Sequence, residues 1–217
     1  MLERLHFETR EAWLAARERG IGCSEVSAIV GMNPWQTPLD LWKLKIGSAP
    51  PKDLSDNPAV AQGVMMEPIL RQFFTALHPE YAVEHYPYDM LFQTERPYWY
   101  ATLDGELTRL SDGKRGILEI KDSTPNGKTG WEKWNNGRLP DYYYVQTLSQ
   151  LFVTGWDFVI LFAALHSMNG DITLREYEIE LDDGGTREDI AWLAPQVTRF
   201  WEYNVQHGIM PAQKLIL

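Results

Sequence analysis

Residues 116–123 read GILEIKDS, an apolar run broken by Glu119 and Lys121. Residues i and i+2 of a strand share a face, so a carboxylate and an ammonium point together out of an otherwise buried segment. Asp104, in ATLDGEL, precedes Glu119 by 15 positions. Between them, Ser111-Asp112-Gly113-Lys114 carries an Asp-Gly pair, a two-residue hairpin signal because glycine accepts positive φ. With Asp112-Gly113 as the loop, Ser111 pairs with Lys114, Asp104 falls opposite Lys121, and Glu106 falls opposite Glu119. Asp104 and Glu119 then lie diagonally on one face, near enough to share a cation. A one-residue slip would turn Asp104 to the other face.

Two carboxylates and a lysine on a sheet face suit metal-assisted phosphodiester hydrolysis. Hard oxygen ligands bind Mg²⁺ or Mn²⁺. Such a cation polarises the phosphoryl oxygen and acidifies water, while the lysine orients that water and offsets developing charge. An E-x-K string alone is common, and the same residues also describe a solvated edge ladder with a cross-strand ion pair.

A second constellation lies upstream. Ser24 reads as the N-cap of a short helix over residues 25–30, closed by Gly31. A helix N-terminus offers free N–H groups to an anion. Arg17, seven residues earlier, suits a bidentate phosphate contact.

Residues 16–47, ARERGIGCSEVSAIVGMNPWQTPLDLWKLKIG, resemble the N-terminal signature of the YqaJ-like viral recombinases, a family related to phage lambda exonuclease. The likeness rests on Arg17, Gly20-Ile21-Gly22, Ser24-Glu25, Gly31, Pro34-Trp35, Thr37-Pro38, Leu41-Trp42, Lys45 and Gly47. It continues through Gly63, Glu67-Pro68, Thr102, Asp104-Gly105, Glu119-Ile120-Lys121, Tyr144-Val145-Gln146 and Val153-Thr154-Gly155. These elements keep the family's order and rough spacing over residues 13–165.

The resemblance implies a restriction-endonuclease-like α/β (α+β) core, a mixed central β-sheet flanked by helices, of the PD-(D/E)xK nuclease class. It implies that Glu67, at the Gly-x₃-Glu position, supplies a third metal oxygen, and that Gln146 reaches the active site. The full ligand set becomes Glu67, Asp104, Glu119 and the Ile120 carbonyl, with Lys121 and Gln146 positioning water, around one or two Mg²⁺ or Mn²⁺ ions. Residues matching Arg17, Ser24 and Thr102 hold a DNA 5′ phosphate in the family, with Thr102 standing where serine is usual. Leu148 replaces a second glutamine carried by many relatives, and Gly127 stands where an arginine is expected, with Lys128 beside it. Gln150, one helical turn after Gln146, reads as a polar face residue.

The positioning elements follow from local signals. Residues 1–13 are charged and read as helical, not as a signal peptide, and 8–19 has helical periodicity with Trp13 and Leu14 as anchors. Thr37-Pro38 opens a helix ended by Gly47. Residues 48–57 read as loop. Asn57-Pro58 starts a helix to about His78, with Pro68 kinking it near Glu67. Strands are expected near 82–86, 89–93, 98–104, 106–110 and 115–121. Residues 122–140 read as a mobile loop with a turn of helix, 141–155 as an amphipathic helix, 157–165 as a buried strand, 174–181 as an edge strand, and 186–207 as a final helix.

Composition suits a single nuclease domain over residues 1–217. There is no apolar run of membrane-spanning length. The single cysteine, Cys23, leaves no internal disulfide framework and fits a reducing compartment, and the resemblance implies that this compartment is the cytoplasm of a bacterial host cell. It also excludes the Cas4-type nucleases, which need four cysteines for an iron–sulfur cluster. The five histidines lack zinc spacing, and neither a P-loop nor a nucleophile elbow is present. A formal charge of −10 argues against simple DNA coating, leaving contacts to local cations such as Arg19, Lys43, Lys45, Lys114, Lys128, Lys133 and Arg138.

The expected substrate is a double-stranded DNA end resected 5′ to 3′, with a single-strand annealing protein as partner. End preference, direction and partner come from the resemblance. Relatives form rings that encircle DNA, although the sequence itself gives no oligomeric state. The rivals are a monomeric endonuclease of the same fold and a non-catalytic DNA-binding or inhibitory module on this scaffold.

Overall fold

A computed structural model describes every residue except Lys52, Ser55 and residues 213–217. Part of the loop expected over 48–57, and the last residues of the domain expected over 1–217, lie outside the described residues. Two mixed sheets carry the chain. One has the order β1-β4-β5-β2, with β1 (Leu2–His6), β4 (Asp89–Gln93), β5 (Arg96–Ala101) and β2 (Ile21–Gly22). The other has the order β3-β6-β7-β8-β9, with β3 (Tyr81–Glu84), β6 (Gly105–Arg109), β7 (Arg115–Ser123), β8 (Phe158–His166) and β9 (Ile172–Glu180). The parallel pairs are β2 with β5 and β7 with β8. All others are antiparallel.

The N-terminus departs from the helical expectation. Residues 2–6 form a strand because they find a partner in β4, where Arg4 and His6 both bind Asp89 and Arg4 also reaches Glu106 at 2.5 Å. Local charge said helix, and long-range pairing overrode it. Helix α1 is shorter than expected, Arg10–Arg17. A 3₁₀ turn, Cys23–Glu25, leads into the short α2, Val26–Ile29. The next helices follow their caps. Thr37 and Asp40 form a capping box opening α3 (Pro38–Lys45), and Asn57 caps α4 (Pro58–Leu77), which runs on through Pro68.

Helix α6 (Asp141–Thr154) ends at Gly155, whose φ of 65° supplies the left-handed turn that stops it. It packs between the sheets. Val145, Leu148 and Leu151 join Trp99 of one sheet and Ile117 and Val159 of the other in the main core. Helix α4 covers the opposite face of the five-stranded sheet through Leu70 and Phe74, against Leu118, Ile120, Phe158 and Phe162. Strand β8 is apolar along nearly its whole length because it lies between β7 and β9 with helices over it. The chain closes with α7 (Gly184–Arg199) and a π-helical stretch, Phe200–Val205.

The segment expected over 122–140 as a mobile loop with a turn of helix does hold such a turn, but it is anchored. Strand β7 extends to Ser123, a short α5 (Gly127–Glu132) follows, and Trp134 is buried beside Leu161, Leu165 and Tyr177, whose hydroxyl donates to the Trp134 carbonyl at 2.6 Å.

The hairpin register differs from the one read off Asp112-Gly113. Gly105 pairs with Leu118 and Glu106 with Ile117. The turn is a four-residue loop closed by the Arg109 N–H to the Lys114 carbonyl, with Gly113 at φ 74° near its end. Pairing is displaced by two residues, which preserves the face of every side chain. Asp104 lies just outside β6, and β5, expected to run continuously into it, belongs to the other sheet.

Gly116 begins the buried part of β7. A Cβ there would meet the Phe158 ring at 2.3 Å, and Phe158 is fully buried. Gly116→Ala is expected to destabilise the protein by about 1–3 kcal/mol through overpacking, read as a lower urea midpoint.

Candidate active site

Glu119 sits in the middle of β7 and is 2% exposed. An ionised carboxylate so placed needs donors on both oxygens, and neighbouring residues supply them. On Oε1 it accepts from the Lys121 ammonium, its same-face neighbour, and from Gln146 Nε2 at 2.6 Å. On Oε2 it accepts from Gln150 Nε2 at 2.5 Å. Gln146 and Gln150 are successive turns of α6, so one helix face delivers both amides. Gln150, expected to be a polar face residue, is instead fully buried. The difference arises because α6 packs between two sheets and has no solvated side at that position. Its Oε1 has no donor among the described residues.

Asp104 approaches from the segment joining the two sheets. Its Oδ2 accepts the Ile120 N–H at 2.8 Å, which ties the carboxylate beside Glu119. Burial, with the Glu119 charge added, holds the Asp104 carboxyl well above the usual carboxylate range. Glu67 arrives from α4, and its Oε1 accepts from Arg71 one turn on. Burial pushes Glu67 upward, Arg71 opposes this, and Glu119 adds to it. Arg71 also donates through Nε to the Asp104 carbonyl at 2.5 Å, so one guanidinium links the helix to the crossing segment. Burial would depress Lys121, but the charges of Glu119, Tyr143 and Asp104 outweigh it and hold the ammonium protonated.

Burial and the neighbouring Glu119 charge thus raise the proton affinity of both Asp104 and Glu67 around one lysine. Among the described residues no three acidic, histidine or cysteine side chains form a ready-made metal cluster. Each carboxylate holds a protein donor instead. The chemistry of the set still fits a hard divalent ion: oxygen donors whose mutual repulsion a cation would relieve, with the Ile120 carbonyl on the same strand.

The residues expected to receive a 5′ phosphate, Arg17, Ser24 and Thr102, sit at the flanks of β2 and β5. Ile21 and Gly22 pair in parallel with Trp99 and Tyr100, and Ser24 and Thr102 each follow two residues beyond that ladder. The Arg17 carbonyl accepts from the Tyr100 hydroxyl at 2.9 Å, and the Arg17 guanidinium rests 4.4 Å from the Trp13 ring. Ser24 is exposed but is not an N-cap. The turn starts at Gly22, whose N–H donates to Glu25 at 2.9 Å, and α2 begins behind Glu25 without a side-chain cap. Lys45, a candidate DNA cation, has its side chain 2% exposed and is paired with Glu25 at 2.8 Å. It serves the fold rather than a surface contact.

Arg71 and the Gln62–Asp122–His166 set had no part in the sequence reading. Asp122, next after Lys121, accepts from Gln62 of α4 at 2.6 Å and bonds His166 at 2.5 Å. These contacts fasten α4 to the ends of β7 and β8, five residues before Glu67. The Glu67/Arg71 spacing of i, i+4 was the available signal for Arg71.

This architecture, two mixed sheets flanked by helices, is the fold of the phage-type alkaline exonucleases. The alkaline exonuclease LHK-Exo from Laribacter hongkongensis superposes with a TM-score of 0.67 at 20% identity, over 92% of this chain and 94% of that one. Its complex with dAMP gives 0.68 at the same identity and coverage. A phage-related exonuclease from Haemophilus somnus 129PT gives 0.53 at 11% identity, over 87% and 96%. The chain belongs to the YqaJ-like viral recombinase domain family, which matches residues 12–157. It is 30% identical over 210 residues to the uncharacterized protein YqaJ of Bacillus subtilis (strain 168), covering 94% of this chain and 59% of that protein's length.

The raised Asp104 carboxyl has a consequence for stability without divalent metal. Its folded form binds protons more tightly than the unfolded chain, so its contribution is full below the usual aspartate range and is lost as pH rises toward the elevated value. Asp104→Asn should therefore be more stable than the parent at neutral pH in chelator, with the gain shrinking at acidic pH. Urea unfolding at the two pH values checks it, and a difference that does not change with pH would remove the raised Asp104 carboxyl as its cause.

Proposed function

We propose that this chain is a metal-dependent deoxyribonuclease that hydrolyses phosphodiester bonds at double-stranded DNA ends, as a 5′–3′ exonuclease of phage-type recombination working from a single domain. The observation that carries the reading is the environment of Glu119. A buried carboxylate held by Lys121, Gln146 and Gln150, beside Asp104 and within the field of Glu67, is costly to maintain as mere scaffold and suits a cation site. The family supports the recombination role, and the dAMP complex of the Laribacter enzyme supports a nucleotide substrate.

Glu67, Asp104, Glu119 and the Ile120 carbonyl would hold Mg²⁺ or Mn²⁺. When bound, the ion supplies Lewis acidity, polarising the phosphoryl oxygen and making water a better nucleophile at neutral pH. The chain does the rest. Lys121 keeps its proton and places a positive charge where the phosphoryl group gains negative charge. Gln146 fixes Glu119 through one amide N–H and faces the same space as Lys121. Arg71 holds Glu67 and the Asp104 backbone in register. Arg17, Ser24 and Thr102 would receive a terminal 5′ phosphate, the guanidinium by charge and the hydroxyls by hydrogen bonds. A single-strand annealing protein is the fitting partner for the strand left behind, and a ring of copies would keep the enzyme on its duplex. The setting is the cytoplasm of a bacterial host. Among the described residues no helix is long and apolar enough to cross a membrane, so no step invokes a membrane.

Purified protein with Mg²⁺ or Mn²⁺ should degrade linear duplex and spare closed-circular DNA, and chelator should stop it. Asp104→Asn and Glu119→Gln should abolish turnover. Lys121→Ala should lower it roughly 10²–10³-fold, the usual cost of one positioned electrostatic group, while metal affinity is retained. Cleavage of closed circles would favour an endonuclease, and parental rates in either carboxylate variant would remove the assignment.

The phosphate trio has its own test. A 5′-phosphorylated end should be degraded faster than a 5′-hydroxyl end, and Arg17→Ala should shrink that ratio. Equal parental rates on both ends would discard the pocket.

A further inference from the structure

Trp35 is 71% exposed, yet it is rigidly placed. Asn33 Oδ1 accepts the N–H groups of Trp35 at 2.8 Å and of Gln36 at 3.1 Å. Asn33 is itself fixed on Ser27: its N–H donates to the Ser27 carbonyl at 3.1 Å, and its Nδ2 to the Ser27 hydroxyl at 3.2 Å. The capping box of α3 closes the loop on its other side. A large indole is thus held toward solvent by hydrogen bonds that fix its backbone, so little ordering remains for a ligand to impose.

Trp35 also heads a line of aromatic rings that ends at the active-site lysine. Tyr142 meets it edge to face, centroids 4.9 Å apart at 70°. Tyr143 lies 4.3 Å from Tyr142. Lys121 Nζ stands 4.9 Å from the centre of the Tyr143 ring. The two tyrosines occupy the first turn of α6, immediately before the turn that carries Gln146. Each step is under 5 Å, so the whole run covers roughly two to four nucleotides at about 3.4 Å of rise per strand.

We propose that Trp35, backed by Tyr142 and Tyr143, is a nucleobase-stacking subsite that grips an unpaired base within a few nucleotides of the phosphodiester presented to Lys121. The proposal deepens the nuclease reading and rests on it. Stacking suits this chain for a physical reason. A protein of net charge −10 gains little affinity from neutralising phosphates, whereas base–aromatic stacking is independent of net charge and tolerates every base. The exposed indole face accepts the base, the edge-on tyrosine keeps the indole from turning away, and Tyr143 carries the line to the lysine.

The test uses the full chain with chelator, so that no strand is cut. Fluorescence anisotropy measures the affinity of parent, Trp35→Phe and Trp35→Ala for a short single-stranded oligothymidylate and for an abasic strand of equal length. The parent should bind the base-bearing strand more tightly. Trp35→Ala should lose roughly 5- to 100-fold on that strand, the range alanine substitution of a stacking residue commands, and little on the abasic one. Trp35→Phe should keep most of the preference, and thermal melting should show all three folded. Equal losses on both strands, or no loss, would overturn the subsite while metal-dependent cleavage by the parent left the nuclease reading standing. A parent that neither binds nor cleaves DNA would overturn both.

Discussion

The burial of one carboxylate, Glu119, inside a central strand organises everything around it. A charge in that position is tolerated only if each oxygen is satisfied. The satisfying groups come from two places: the same strand, through Lys121, and one face of α6, through Gln146 and Gln150. Helix α6 can deliver both amides only because its other faces are filled by the apolar contacts that join the two sheets. The packing of the main core and the polarity of the site are therefore one arrangement. Removing an amide would leave a charged group short of a donor, and shifting the helix would break the core.

The second constraint comes from the opposite face of the same sheet. Helix α4 packs on Leu118 and Ile120, the neighbours of Glu119 that point away from it. The helix reaches the site along its edge, where Arg71 ties Glu67 to the Asp104 backbone. Gln62 and His166, meeting on Asp122, pin the other half of α4 to the ends of β7 and β8. One strand thus presents alternate residues to two helices, each bringing a different part of the site. A strand's two-residue period makes that division possible.

The crowding of carboxylates carries an electrostatic strain that the fold leaves in place. Burial and like charge raise Asp104 and Glu67 together, and Lys121 offsets only part of it. Such strain belongs to sites that trade stability for a bound cation or for catalysis. Each of these carboxylates also holds a protein donor: the Ile120 N–H on Asp104, the Arg71 guanidinium on Glu67, and the Lys121 ammonium with two amides on Glu119.

Much of this was legible in the chain. Thr37-Pro38 with Asp40, Asn57-Pro58 and Gly155 fixed helix ends through local capping chemistry. The two-residue period of Glu119 and Lys121 gave their shared face, and the apolar run of β8 announced a strand covered on both sides. What the chain did not disclose was long-range. Residues 2–6 became a strand only by finding β4. The hairpin slipped by two because the turn closed at Arg109 and Lys114, not around the Asp-Gly pair. Because a two-residue shift keeps every face, the polar constellation survived the wrong register. Gln150 reads from the sequence as a polar face residue because helical spacing tells which residues share a face but not what covers it. The sequence by itself determined which side chains could act together, since that depends on local periodicity. Only the tertiary structure decided which of them are buried, paired and aimed, since those depend on which distant segment fills the space opposite.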